Sequence, residues 1–163
     1  LRDPRSVMVS LFHYARGRAD LSESMSFQDM IRHPKFGLES WFRYHQRWLK
    51  HAAFTLKYED LKTDDVSAFR NLLGFLKVDV DDDVFFQAVE RSRIQNLKKI
   101  EKQFGHETHK KARQGFTFFR SGSSSEWGSY FQSADLELYE SLRKRYSLPL
   151  DNNQNRPLPS GDR

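Results

Sequence analysis

Leu1-Arg2-Asp3-Pro4-Arg5-Ser6-Val7-Met8-Val9-Ser10 reads as the end of a strand turning directly into a helix. Asp3 can cap that helix and Pro4 suits its first turn, because a side-chain acceptor serves free backbone N–H groups and proline has none to leave unpaired. Val7, Met8, Leu11, Phe12 and Ala15 recur at the spacing of one buried helical face, while Ser6, Ser10 and Tyr14 form a second stripe four residues apart. Arg2 sits just before the turn, where a strand's carboxyl edge meets a helix amino end and α/β proteins collect anions. Ser10 lies about 9 Å along the axis from Pro4 at helical rise, so an anion touching both Arg2 and Ser10 lies against the helix flank. The alternative is a salt-bridged strand-end arginine and a solvated serine.

Working outward, 163 residues are enough for one domain with a real core and too few to expect two. The content of 37% hydrophobic and 14% aromatic residues predicts a core rich in phenylalanine. There is no cysteine, which excludes disulfides, thiolate metal sites and a cysteine nucleophile. The formal charge of +5 favours an anionic partner without separating nucleotide from nucleic acid or lipid. No apolar run reaches bilayer length and no signal-peptide pattern opens the sequence, so a soluble, cytoplasmic protein is expected, with a lumenal domain of a longer chain as the alternative. Leu1 reads as lying inside a strand, which predicts a piece of a longer chain.

A short helix is expected at Ser26–Ile31, and a stronger one from Gly37, with Leu38, Trp41, Phe42, His45, Trp48, Leu49 and Ala52 on its apolar face. Residues 53–58 alternate with period two, predicting a strand with Phe54, Leu56 and Tyr58 on one face. Asp64 or Asp65 can start the next helix, and the acidic run Asp79–Asp83 another, since carboxylates favour the positive end of the helix dipole. That run does not match a calcium loop. Ser92–Lys99 predicts a further short helix, and the basic stretch from Lys98 to Arg113 a mobile surface loop. His106 and His109 lack a zinc spacing, so no metal is expected. Phe116–Phe119 leads into Arg120-Ser121-Gly122-Ser123-Ser124-Ser125-Glu126-Trp127, where small residues let backbone N–H groups approach an anion; a flexible surface loop is the alternative. A last helix is expected at 133–146, and a disordered tail at 148–163.

Arg2 through Ser10 resembles the segment of PAPS-dependent sulfotransferases that holds the 3′-phosphate of 3′-phosphoadenosine 5′-phosphosulfate (PAPS). In that family an arginine and a serine eight positions later grip the phosphate, and Arg2 and Ser10 keep that spacing. Gly37 to Trp48 is similar to the family's Gly-Ser-Trp helix. Leu56 to Lys62 looks like its Tyr-Glu-Asp strand end, whose tyrosine, here Tyr58, contacts the adenine. Ser92 to Lys99 resembles the segment whose first and third residues flank the adenine; Ser92 fits, whereas Ile94 departs from the usual aromatic. Arg120-Ser121-Gly122 resembles the Arg-Lys-Gly phosphate loop, with Ser121 in place of the lysine, which implies weaker phosphate binding.

The resemblance implies a three-layer, P-loop-like α/β fold around a central parallel sheet, with residues 1–147 a partial sulfotransferase domain whose amino-terminal part is missing. It implies sulfuryl transfer from PAPS to a hydroxyl or amine, leaving the product PAP, adenosine 3′,5′-bisphosphate. The family's catalytic histidine and phosphosulfate-loop lysine lie upstream of the Arg-Asp-Pro segment, so no catalytic residue is expected in this chain. His13 and Tyr14 are expected at the acceptor pocket or the core. The implied partners are the nucleotide and a small-molecule or glycan acceptor, with no nucleic acid. Gly128 and Gln132-Ser133 depart from the family's dimer motif, so that dimer is not assumed. The alternative is a catalytically inactive nucleotide-binding or protein-interaction module of the same fold.

Overall fold

The computed structural model describes residues 1–18, 20–105, 113, 115–120 and 125–148. Helix α1 spans Pro4–Gly17, and the Asp3 side chain accepts from the Arg5 backbone N–H at its start. Met8, Val9, Phe12 and Ala15 are buried, while Val7 and Leu11 are only half-buried. Helix α2 (Phe27–Ile31) is held by a reciprocal box in which Ser26 caps Asp29 and Asp29 caps Ser26. Helix α3 spans Leu38–Leu49 and starts from Gly37, where a Cβ would meet the His33 and Ile31 carbonyl oxygens at 2.5 and 2.6 Å.

Helices α4 (Tyr58–Thr63), α5 (Asp65–Leu76), α6 (Asp82–Ser92) and α7 (Ile94–Phe104) follow. Asp64 caps α5 and Asp81 caps α6 through their side-chain oxygens. A 3₁₀ turn at Glu126–Ser129 leads to α8 (Ser133–Tyr146). Helix α1 packs on α2, α3 and the 3₁₀ turn, and α3 packs on α8. Met8, Phe12, Phe27, Met30, Leu38, Phe42, Tyr139 and Leu142 fill the space between them. Asp135 lies in that core at 1% exposure; its carboxylate accepts from Arg32 and from the Gln132 N–H that opens α8. The second set, α4 to α7, packs pairwise in chain order and buries far less: Ala68, Phe85 and Val89.

Several expectations are corrected. The described residues contain no strand, so the expected central parallel sheet is not seen among them. Residues 54–57 carry no regular structure and Tyr58 begins a helix rather than ending a strand. The Leu1 ammonium donates to the Leu56 carbonyl (2.5 Å) and the Tyr58 N–H to the Leu1 carbonyl (2.7 Å). Those two bonds are one step of a parallel ladder, and alternating side chains make a strand only when a ladder continues. Trp48, expected on the buried face of α3, is 55% exposed, because α1 and α8 cover only the Leu38 and Phe42 side. The expected short helix at Ser92–Lys99 extends as α7 to Phe104, which replaces the first part of the expected loop. Residues 106–112, with His106 and His109, lie outside the described residues, as do 149–163 of the expected tail; Leu148 packs against the core.

Candidate functional site

A cavity of about 790 Å³ opens against the flank of α1, a size suited to a nucleotide or a similar small molecule. Arg2 enters it from just before α1, and Ser6, Ser10 and Tyr14 line it as successive steps of the four-residue stripe. Tyr58 comes from the start of α4, Ile94 from the start of α7, and Phe116 to Arg120 from the segment after α7. Glu126 and Trp127 close it from the 3₁₀ turn.

Of the residues singled out from sequence, Arg2, Ser10, Tyr58, Ile94, Arg120, His13 and Tyr14 are thus brought to one cavity. Ser92 is not among the lining residues: it is exposed at the end of α6, and its hydroxyl donates to the Val89 carbonyl one turn back (2.8 Å). Ser121 and Gly122 lie outside the described residues.

The polar groups have defined partners. The Arg2 guanidinium lies 4.3 Å over the Tyr58 ring, so one face of that tyrosine carries a cation. Arg120 donates from both terminal nitrogens to the two carboxylate oxygens of Glu126. His13 Nε2 and the Tyr130 hydroxyl are 2.7 Å apart. Burial, and then the neighbouring Arg120 charge, hold the His13 pKa below the ordinary imidazole range. The Tyr14 hydroxyl accepts from Arg18 (2.6 Å).

The aromatic wall was not singled out as a site from sequence. Phe116, Phe118 and Phe119 line the cavity, with Phe116 and Phe118 edge-on to Tyr14. Glu101 of α7 fixes this wall by accepting from the Phe118 and Phe119 backbone N–H groups at 2.5 and 3.0 Å. Gly17 admits it, since a Cβ there would stand 2.0 Å from the Phe116 ring. The adjacency of three phenylalanines to Arg120 was the available signal; the roles of Glu101 and Gly17 had none. Among the described residues no three His, Cys, Asp or Glu side chains gather as metal ligands, and no helix is long and apolar enough to cross a membrane.

The family model described as the sulfotransferase domain matches residues 1–147. This chain belongs to the sulfotransferase family. It is 24% identical over 157 residues to rat sulfotransferase 2A2, a match covering 87% of this chain and 53% of that protein. Bovine sulfotransferase 1A1 is 26% identical over 149 residues, covering 85% and 50%. This sulfotransferase chain therefore spans about half the length of the curated relatives it matches. Retinol dehydratase, solved with androsterone and the inactive cofactor PAP, superposes with a TM-score of 0.72 at 23% identity, over 95% of this chain and 48% of that one. Mouse sulfotransferase SULT7A1 complexed with PAP gives 0.72 at 22% identity, over 93% and 57%. The sulfotransferase fold is thereby shared, although the central sheet is not seen among the residues described here.

Proposed function

We propose that this chain supplies the 3′-phosphate and adenine contacts of a PAPS-dependent sulfotransferase that transfers a sulfuryl group to a hydroxyl or amine. The observation that supports it is the meeting of Arg2, Ser10 and Arg120, residues up to 118 positions apart in sequence, at one cavity that Tyr58 and Ile94 also line. Two guanidinium groups and a hydroxyl provide charge-assisted donors for a dianionic phosphate. Tyr58, Ile94, Phe118 and Phe119 offer the apolar and aromatic surface that a purine requires. Ser121 and Gly122 are proposed to complete the phosphate loop with backbone and hydroxyl donors.

The acceptor is proposed to be a small molecule or glycan that bears the hydroxyl or amine, received where His13 and Tyr14 line the cavity with Leu11 and Phe116. His13 is not assigned as the base, since its Nε2 is engaged by the Tyr130 hydroxyl. No catalytic residue is assigned within this chain, and no metal.

Calorimetry with adenosine 3′,5′-bisphosphate tests the reading. Binding is expected, and Arg2→Ala and Arg120→Ala should each weaken it by about tenfold or more, the effect of losing a hydrogen bond to a charged group. Absence of binding, or binding that neither substitution changes, overturns it. Nucleotide binding without sulfuryl transfer even when the upstream segment is restored would favour the inactive-module reading, to which the serine at position 121 points.

A further inference from the structure

Arg120 presents its two terminal nitrogens end-on to Glu126, one to each carboxylate oxygen. That is the two-bond geometry in which a guanidinium also holds a phosphate. Glu126 does not stand behind the arginine as a buttress outside the site. It lines the same cavity as Arg2 and Ser10, carried there by the 3₁₀ turn.

We propose that Glu126 is a specificity-determining residue, an internal anion that competes with the nucleotide's 3′-phosphate for Arg120. The proposal rests on the nucleotide reading above and adds a discrimination step to it. A dianionic 3′-phosphate held at the same time by Arg2 and Ser10 displaces a single carboxylate from Arg120. A nucleotide without a 3′-phosphate has nothing to offer there, so Arg120 stays with Glu126 and adds nothing to its affinity. Relief of that competition is therefore reserved for 3′-phosphorylated ligands. The arginine side chain is 34% exposed and the glutamate 26%, so solvent weakens the pair and the exchange is within reach of a phosphate.

The test is calorimetric titration of the wild-type protein and of Glu126→Gln, Glu126→Ala and Arg120→Ala with adenosine 3′,5′-bisphosphate and with adenosine 5′-phosphate. Both Glu126 variants should bind the bisphosphate about fivefold more tightly, as expected for releasing a partly exposed ion pair, with affinity for the monophosphate unchanged. Unchanged or weakened bisphosphate binding overturns the competition, the weakened case making Glu126 a support for Arg120 instead. An equal gain for both nucleotides overturns it too, because it reports only a general change of field. If Arg120→Ala leaves bisphosphate binding untouched, the nucleotide reading itself fails and the competition falls with it. If that variant weakens binding while the Glu126 variants do not strengthen it, only the competition fails.

Discussion

The Arg5 guanidinium lies 3.8 Å over the indole of Trp127 and 4.6 Å over the ring of Tyr139. Its Nη2 donates to Asp3 at 2.7 Å, so one side chain ties the start of α1 to both the 3₁₀ turn and α8. Arg5→Met keeps the length and loses the cation. It should cost about 1 kcal/mol for the lost cation–π contact, seen as a Tm lower by about 2–4 °C. An unchanged Tm in a thermal melt would mean that the stacking contributes nothing.

Glu101 accepts from the Phe118 and Phe119 N–H groups and so sets where Arg120 begins. It acts as a positioning residue, because it does not line the cavity. Glu101→Ala should weaken binding of adenosine 3′,5′-bisphosphate by about fivefold, the value of one net hydrogen bond. Glu101→Gln, which keeps one oxygen acceptor, should recover part of it. Calorimetry on both variants checks the order; a glutamine variant no better than alanine contradicts it.

Asp135 is a buried carboxylate that opens α8 and pairs with Arg32, itself 43% exposed. Asp135→Ala removes the acceptor of the Gln132 N–H and the carboxylate partner of Arg32, which keeps its bond to the Gln28 carbonyl. The expected loss is about 2–3 kcal/mol, read from the urea midpoint at unchanged m-value. Nucleotide affinity should not move, because Asp135 does not line the cavity.

His13 and His45 are both held below the ordinary imidazole range, in each case chiefly by burial. The unfolded chain then binds protons that the folded chain refuses. Stability is fully present above the unfolded value of about 6.5 and is lost as pH falls below it toward the folded values. Thermal melts from pH 7.5 to 5 should show a falling Tm, with a shallower fall in His13→Gln and in His45→Gln. Equal slopes in all three proteins would remove these histidines as the cause.

The starts of α1, α2, α5 and α6 were legible in the sequence because capping is a short-range event. Asp3, Ser26, Asp64 and Asp81 each accept from a backbone N–H within three residues, whatever the rest of the chain does. The apolar spacing around Met8 and Phe12 likewise marked the face of α1 that is buried. The alternation at residues 53–58 does not by itself make a strand, since a strand is completed by a neighbour, and among the described residues one ladder step pairs this stretch with Leu1.

The spacing of Arg2 and Ser10, and the arginine and glycine after Phe119, marked candidate anion ligands through the family they resemble. The sequence by itself thus determined where the side-chain-capped helices begin, which face of α1 is apolar and which residue types could meet an anion, because each depends on neighbours a few positions away. Only the tertiary structure decided that Gly17 makes room for Phe116, that Glu101 holds the wall before Arg120, that Arg5 reaches Trp127, and that Glu126 rather than solvent meets the Arg120 fork. Three of those pairings join residues between 18 and 122 positions apart, and the fourth selects one carboxylate among many. Such choices follow from how the helices pack in space, and a linear pattern of residue types carries no distance between elements.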